Sequence, residues 1–547
     1  MQKVIELLKE IRRLMQLRGD SPFKVSAYEK AVKILEGRKD LEDRAKQKTL
    51  TELPGIGLGI ASVIEEYLLD NSSGVRDELL SSIPSGMLEF TQIPGLGPKK
   101  ARTLIEQLGI QSLAELEYAC HENRLVSLKG FGVKAQAHIL EGILFQKSHL
   151  GFQCWSDVNH QAQKLLEYLS KACGGLKVSL TGAFRRRLEI FDCLEFLIEK
   201  DSQLCVQALA EQVVDRFFKD QGSQSGSFIL VKLHWVHSSH FGYELAKTTA
   251  TEAHWKALGS PAYFEAETEE AFYQKLSLPW ISPELRETGE EVELARAGKL
   301  DQLLSWDGIR GVFHNHTTRS DGTASLEEMV READRLGYEY IGISDHSQSA
   351  FYAQGLREAD LKEQETEVQR VQAKYPKIRV FWGIESDILA DGSLDYSPQV
   401  LEKFDFVIAS VHSRLQMNRE QMTDRILKAI QNPYTRFLGH PTGRLLLGRK
   451  AADFDMEAVI TEAARCEVAV ETNANPARLD LDWRWGPQMR ATRAWTSVNP
   501  DAHSTQGLKD TCYGVAVARK ALLPATQVLN TKTASEVEQW FKRVSLR

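Results

Sequence analysis

Between residues 311 and 503 one arrangement repeats: a short apolar run, a polar tip carrying histidine or carboxylate, then a stretch of helical periodicity. The first copy reads Gly-Val-Phe-His314-Asn-His316-Thr-Thr-Arg319-Ser-Asp321-Gly. Its histidines stand at i and i+2 at the end of a strand and so share a side. The next run ends at Asp345-His346. Later runs end at Glu385, at His412-Ser-Arg414, at His440-Pro-Thr-Gly-Arg444, at Glu471-Thr-Asn473-Ala-Asn475, and at Asp501-Ala-His503. Ser325-Leu-Glu-Glu328 predicts a capping box, with Leu326, Met329, Val330, Ala333 and Leu336 on one helix face. Seven strands alternating with helices predict a parallel β/α barrel, whose loops converge at the carboxyl ends of the strands. A single histidine near a strand end is ordinarily a satisfied core or surface residue. Six of the 14 histidines in matching places, with Asp321, Glu385 and Asp501, predict a metal centre. Mixed nitrogen and oxygen ligation suits Mn²⁺, Zn²⁺ or Fe²⁺ better than Mg²⁺ alone.

The chain has 547 residues, too many for one core. A net charge of -7 argues against a uniformly basic nucleic-acid coat, yet residues 1–50 carry 13 Lys/Arg against 8 Asp/Glu. The seven cysteines contain no Cys-x-x-Cys pair, so neither a disulfide framework nor a zinc ribbon is expected. No apolar run spans a bilayer, and charges stand where a signal peptide needs its apolar stretch. The expectation is a cytoplasmic protein with no membrane partner.

Three phrases punctuate the first 150 residues: Leu53-Pro-Gly55-Ile-Gly57-Leu-Gly59, Ile93-Pro-Gly95-Leu-Gly97-Pro-Lys99-Lys100, and Leu128-Lys-Gly130-Phe-Gly132-Val-Lys134. Each lies between two stretches of helical periodicity. Glycines there permit a tight turn whose backbone N–H groups, at the start of the next helix, can hold a phosphate oxygen. This is the helix-hairpin-helix pattern, which grips a nucleic-acid backbone without reading sequence. One such turn reads equally well as a plain helix connection, but three predict backbone binding.

Residues 151–260 carry a different signal. Val178-Ser-Leu180 leads to Gly182-Ala183-Phe184-Arg185-Arg186-Arg187 and then to a strand holding Asp192, Cys193 and Glu195. A second strand, Phe228 to Trp235, follows a Gly/Ser turn at 222–227. The stretch resembles the nucleotidyltransferase palm of family X DNA polymerases. In that family a Gly-Ser, a basic stretch and two aspartates one residue apart bind metal and nucleotide, with a third aspartate on the neighbouring strand. Here the serine is Ala183, the pair is Cys193 and Glu195, and the third position is Lys232, so Glu195 and Lys232 are expected to form an ion pair. Asp192 and Glu195 are three apart and face opposite sides of a strand. Around Leu245–His254, where the family has an aromatic and a Thr-Gly-Ser for the incoming nucleotide, the aromatic and the glycine are missing. A retained palm without polymerase chemistry is expected. The lysine that serves as an abasic-site lyase in the family aligns with Val63, which leaves Lys24, Lys30 and Lys33 as phosphate contacts or a solvated face. His237 and His240 read as surface histidines.

The His-x-His, Ser-Asp-Gly, Asp-His, Gly-Ile-Glu, Ser-Val-His-Ser-Arg, His-Pro-Thr-Gly-Arg and Asp-Ala-His phrases resemble the polymerase and histidinol phosphatase (PHP) domain, a distorted seven-stranded barrel with three metals. The resemblance implies His314, His316, Glu385 and Asp501 on one metal, Asp321, His346 and His503 on a second, and Glu385, His412 and His440 on a third. Arg319, Arg414 and Arg444 read as phosphate clamps or, equally, as salt bridges to loop carboxylates. Asp345 is expected to orient a ligand.

The whole chain thus resembles bacterial family X polymerases, a multidomain α+β and α/β protein. Expected are a helical domain at 1–85, a second helix-hairpin-helix domain at 86–150, palm and thumb at 151–285, a linker at 286–306, and a (β/α)7 PHP barrel at 307–547. The resemblance implies a monomeric Mn²⁺-type 3′–5′ exonuclease, abasic-site endonuclease or 3′-phosphatase of base excision repair, acting on gapped, nicked or 3′-end DNA. A small-molecule phosphatase, a non-catalytic repair scaffold and a still-active polymerase remain open.

Overall fold

The computed structural model describes all residues except 1, 36–37, 39, 71, 84, 92, 94, 127, 201–210, 215–216, 218–228 and 546–547, so the expected turn at 222–227 lies outside it. The chain forms two compact units, residues 1–150 and 151–547.

The first unit is helical. Apolar residues at helical spacing in Gln2–Arg18 (Leu7, Leu8, Ile11, Met15) and Pro22–Leu35 (Tyr28, Ala31, Val32, Leu35) are buried. They join one continuous cluster with Phe90, Leu104, Leu116 and Ile143, so helices on both sides of residue 85 share a core. Val63 is part of it at 2% exposure. Lys24, Lys30 and Lys33 are solvent-exposed.

The second unit holds two principal sheets. Strands β2 (Val178–Thr181), β4 (Cys193–Glu199) and β5 (Leu230–Val236) pair in the order β2-β4-β5, the first pair antiparallel and the second parallel. Short strands β1 (Gln153–Cys154) and β3 (Ile190–Phe191) pair beside them. The 286–306 connection is packed rather than free: Val292, Ala295 and Leu303 are buried with Phe272 and Leu285.

Seven strands make the larger sheet: β6 (Gly311–Val312), β7 (Tyr340–Ile343), β8 (Arg379–Asp387), β9 (Phe406–Ser410), β10 (Thr435–Leu438), β11 (Ala469–Asn473) and β12 (Thr496–Asn499). All pairings are parallel and follow chain order. A bridge from Asn315 to Ala502 brings the ends together into a nearly closed barrel. Strands buried on both faces account for apolar runs such as Phe406–Ala409. The expected capping box at Ser325 and Glu328 starts the helix Leu326–Arg335, whose Leu326, Met329, Val330 and Ala333 are buried.

Opposite the polar tips, aromatic rings fill the barrel. Phe313, Tyr340, Phe381, Phe406 and Phe437 pack with Val537, Trp540 and Phe541 from the helix Ala534–Ser545. The Phe541 ring lies 5.4 Å from that of Phe381 and 5.7 Å from those of Phe313 and Phe406. Phe541→Ala leaves a cavity that rigid strands cannot close, at a cost of about 3–5 kcal/mol. Denaturant titration of the full chain, followed at the barrel's transition, checks this.

Candidate metal centre

Each barrel strand delivers a polar group to the same end. His314 and His316 follow β6, His346 follows β7, Glu385 sits within β8, His412 and His440 follow β9 and β10, and Asp501 and His503 follow β12. The structure brings all nine residues expected as ligands together. They fall into four overlapping groups whose ligand atoms lie within 4.8 Å of one another: His316, Asp321, His346 and His503; His314, His316 and Asp501; His314, Glu385 and His440; and His346, Glu385 and His412.

Glu385 is the hub. Its Oε1 lies 3.0 Å from His440 Nε2 and 3.2 Å from both His314 Nε2 and His412 Nε2. Its Oε2 lies 2.8 Å from His346 Nδ1 and 3.7 Å from His316 Nε2. Asp501 Oδ1 is 3.2 Å from His316 Nε2, and Asp321 Oδ1 is 3.3 Å from His503 Nε2. His314, His316 and Glu385 are fully buried, whereas Asp321 and His503 are partly open to solvent.

This donor set fits divalent cations. His314 Nε2, His346 Nδ1 and Glu385 Oε2 are buried and make no hydrogen bond, although His346 Nδ1 and Glu385 Oε2 are close. Ligand atoms crowded without directional hydrogen bonds are what a cation between them satisfies. Burial favours neutral Glu385, but the His412, His314 and His346 charges outweigh it and hold the carboxyl well below its usual range. Asp501 behaves likewise, its burial outweighed by His314 and His316. Burial and the neighbouring His346 and His503 charges lower His316 to about 3, so its imidazole is neutral. Burial lowers His314 and His412, but the carboxylates beside them outweigh it and raise both, so a cation bound there would displace their protons. His440 and Asp501 have left-handed backbone (φ of 23° and 50°), strain of the kind that clusters at functional sites.

A second layer fixes the ligands. Glu471 Oε1 lies 2.8 Å from His314 Nδ1, and Glu471 Oε2 accepts from the His440 amide at 2.7 Å. Asn473 and Asn499 donate to the same carboxylate. Asp387 Oδ1 lies 2.6 Å from His412 Nδ1. Asp345 pins the loop between His316 and Asp321 rather than an imidazole: it accepts from Thr317 N (2.7 Å), Thr317 Oγ1 (2.8 Å) and Ser320 Oγ (2.6 Å), and from Gln364 Nε2 (2.7 Å). Glu471→Gln keeps the shape but removes the charge that sets the His314 tautomer. A 10- to 100-fold loss of metal affinity is expected, read by calorimetric titration of Mn²⁺ or Zn²⁺.

The arginines divide. Arg319 pairs with Glu363 and Glu367 on the helix Glu358–Lys374. Arg444 pairs with Asp482 and donates to the Arg478 and Leu479 carbonyls. Neither points at the ligands, because helix carboxylates take the Arg319 guanidinium and a loop carboxylate and carbonyls take that of Arg444. Arg414 is exposed. Arg478, which sequence patterns did not single out, lies in the centre with Nε 3.4 Å from Asp501 Oδ2.

In the palm, Cys193 and Glu195 lie on β4 and Lys232 on β5, while Ala183 follows β2. Lys232 is the register partner of Glu195, yet the Glu195 carboxylate bonds His234 Nε2 at 2.9 Å instead. Lys232 keeps its ammonium in water, and His234, two residues on along the same face, reaches the carboxylate. Gly182 has left-handed backbone (φ 66°), and a Cβ there would meet Glu195 Oε1 at 2.3 Å, so a larger residue would displace that carboxylate. Arg185 donates two 2.7 Å bonds to buried Glu269, and Arg186 donates to Glu287 and to the Thr249 carbonyl. Asp192 is exposed, and His240 stacks on Tyr263.

The three glycine turns of the first unit are alike. Gly55, Gly95 and Gly130 have φ of 94°, 80° and 91°. Gly57, Gly97 and Gly132 precede the helices Leu58–Asp70, Pro98–Leu108 and Val133–Ser148. Ile56, Leu96 and Phe131 anchor each turn in the core while the glycines face water. A Cβ at Gly57, Gly59, Gly95, Gly97, Gly130 or Gly132 would meet nothing within 4 Å, so the backbone surface is open. Lys99 and Lys134 are exposed beside the turns, whereas Lys100 is half-buried, with Nζ donating to the Gly95 carbonyl at 3.1 Å.

Comparison with known proteins agrees with this geometry. Residues 1–72 match the helix-hairpin-helix domain, 87–142 the SAM-like helix-hairpin-helix tandem, and 313–464 the PHP domain. The chain is 33% identical over 574 aligned positions to the DNA polymerase/3'-5' exonuclease PolX of Bacillus subtilis (strain 168), covering 99% of each protein. The chain belongs to the family X DNA polymerases that carry a PHP domain. Family X members of this layout are DNA-binding enzymes, and PHP domains are metal-dependent. Shorter stretches resemble probable phosphatases: 32% identity over 170 residues with that of Caldicellulosiruptor bescii (29% of this chain, 63% of that protein), and 33% over 170 residues with that of Caldicellulosiruptor saccharolyticus (29% and 64%). No helix among the described residues is long and apolar enough to cross a membrane.

Proposed function

We propose that this chain is a DNA 3′-end-processing phosphoesterase of the 3′–5′ exonuclease, abasic-site endonuclease or 3′-phosphatase type, whose palm no longer polymerises. The convergence of nine ligands at one end of the barrel, in a chain with three open backbone turns, carries this reading. His314, His316, Glu385 and Asp501 hold one cation, Asp321, His346 and His503 a second, and Glu385, His412 and His440 a third. Bound there, divalent cations supply Lewis acidity to phosphoryl oxygens and activate water for attack at phosphorus. Arg478, and Arg414 at the rim, donate to the phosphate, while Arg444 holds the backbone from which Arg478 projects. Residues 1–85 and 86–150 supply the grip on DNA, 151–285 a palm and thumb scaffold, 286–306 the connection, and 307–547 the chemistry. The protein acts as a monomer on gapped, nicked or 3′-end substrates in base excision repair.

Lys99→Glu with Lys134→Glu is expected to weaken binding to random-sequence duplex uniformly. The slope of log K against log salt should flatten by about 0.9 for each phosphate that is no longer neutralised, which fluorescence anisotropy at several salt concentrations measures.

The phosphatase relatives favour a second reading, hydrolysis of small phosphomonoesters. A KM comparison of 3′-phosphorylated DNA with sugar and amino-alcohol phosphates separates the two. The lower KM is expected for DNA, and a preference for small molecules would replace the main reading.

A further inference from the structure

Two exposed aromatic residues, Phe351 and Tyr352, follow the ligand His346 along the chain with no role in holding the metal centre. Phe351 is 88% exposed and Tyr352 70% exposed. The Tyr352 ring lies 6.1 Å from that of His346 and 6.3 Å from that of His412, two of the centre's own ligands.

The segment presenting them is firmly built. It leaves β7 just after His346 and closes on itself: Leu356 N donates to His346 O at 2.8 Å, Ala350 N to Ser347 O at 3.0 Å, and Gly355 N to Ala350 O at 3.1 Å. A Cβ at Gly355 would lie 1.8 Å from Ser347 O, so only glycine permits this closure. Asp395 accepts from Ser349 N at 2.7 Å and ties the segment to the barrel, while Ala350 and Ala353 are buried beneath it. The same backbone that fixes two inward alanines fixes Phe351 and Tyr352 outward. Rings held in place lose little freedom on binding a flat partner.

Single exposed apolar residues are ordinary, but neighbouring aromatics beside a phosphoester site present a stacking surface. A phosphate at the ligands is joined to its base through a deoxyribose, which carries the base outward from the centre toward these rings. Every nucleobase has a π face, so stacking holds a DNA end without sequence preference.

We infer that Phe351 and Tyr352 form a stacking platform for the bases at the DNA 3′ terminus, making them specificity-determining residues that favour base-bearing ends over abasic or non-nucleosidic phosphoesters. The inference rests on the phosphoesterase reading above.

The test uses the full-length chain with Mn²⁺ and two single strands, one with ordinary 3′-terminal nucleotides and one whose last two residues are abasic tetrahydrofurans. Phe351→Ala and Tyr352→Ala should each lower kcat/KM on the ordinary end by roughly five- to a hundredfold, chiefly through KM, and leave the abasic end unchanged. Phe351→Trp should retain the wild-type preference. A binding readout independent of turnover is the fluorescence of 2-aminopurine at the 3′ terminus, quenched on binding wild-type protein and less quenched by the alanine variants. Equal loss on both substrates, no loss on either, or unchanged quenching overturns the platform. If the wild type cleaves neither strand, the phosphoesterase reading fails, and the quenching alone decides whether these rings stack on DNA.

Discussion

Glu385→Ala lowers phosphodiester hydrolysis by about 10³-fold or more, because one carboxylate reaches five of the six ligand imidazoles. Its two oxygens lie within 3.7 Å of nitrogens on His314, His316, His346, His412 and His440. Without it, five imidazoles face one another with no shared anion, and the cations they would hold repel each other. The fold survives, since the aromatic layer below and the strand pairing of β8 do not involve this side chain. The expected outcome is loss of activity on a 5′-labelled strand and reduced bound metal by mass spectrometry, with an unchanged circular dichroism spectrum and unchanged DNA affinity. Activity within tenfold of wild type would show that Glu385 is not the hub.

Primer extension by the purified chain on gapped template is expected to be undetectable. Two-metal nucleotidyl transfer needs carboxylates sharing one face of neighbouring strands. Here Cys193 is a buried thiol that burial pushes up to about 11, and Glu195 is engaged by His234. The basic stretch is engaged as well. Burial raises the Glu269 carboxyl, but the Arg286 and Arg185 charges and hydrogen bonds outweigh it and hold it at about 2. Arg185 is thus tied to a carboxylate, and Arg186 is tied to Glu287, which also accepts from buried Lys520 of the barrel unit. Templated incorporation of even one nucleotide would show that the palm works with other groups.

The barrel was legible because its signals are periodic. Apolar runs ending in His316, His346, His412 and His440 at successive β/α units predict both strand order and ligand convergence, and the structure has both. Side-chain direction in loops was not legible. Arg319 and Arg444 follow ligands in sequence, but their partners, Glu363, Glu367 and Asp482, are set by how neighbouring segments pack. Arg478 reaches the centre from a segment whose Arg478 and Leu479 carbonyls accept from Arg444, contacts with no local signature. Glu471 and Asp387 had a faint one: each is a carboxylate at the ligand end of a strand, and Asp387 shares a face with Glu385 two residues before it. In the palm, pairing was expected between register neighbours Glu195 and Lys232, yet exposure decided for His234.

The most direct test of a catalytic centre confined to the barrel is the fate of a 5′-labelled single strand incubated with the full-length chain and Mn²⁺. A ladder of products shortened from the 3′ end, absent with His316→Ala protein that still binds DNA, is the expected result. An intact strand with the wild type, or an undiminished ladder with the variant, would contradict it.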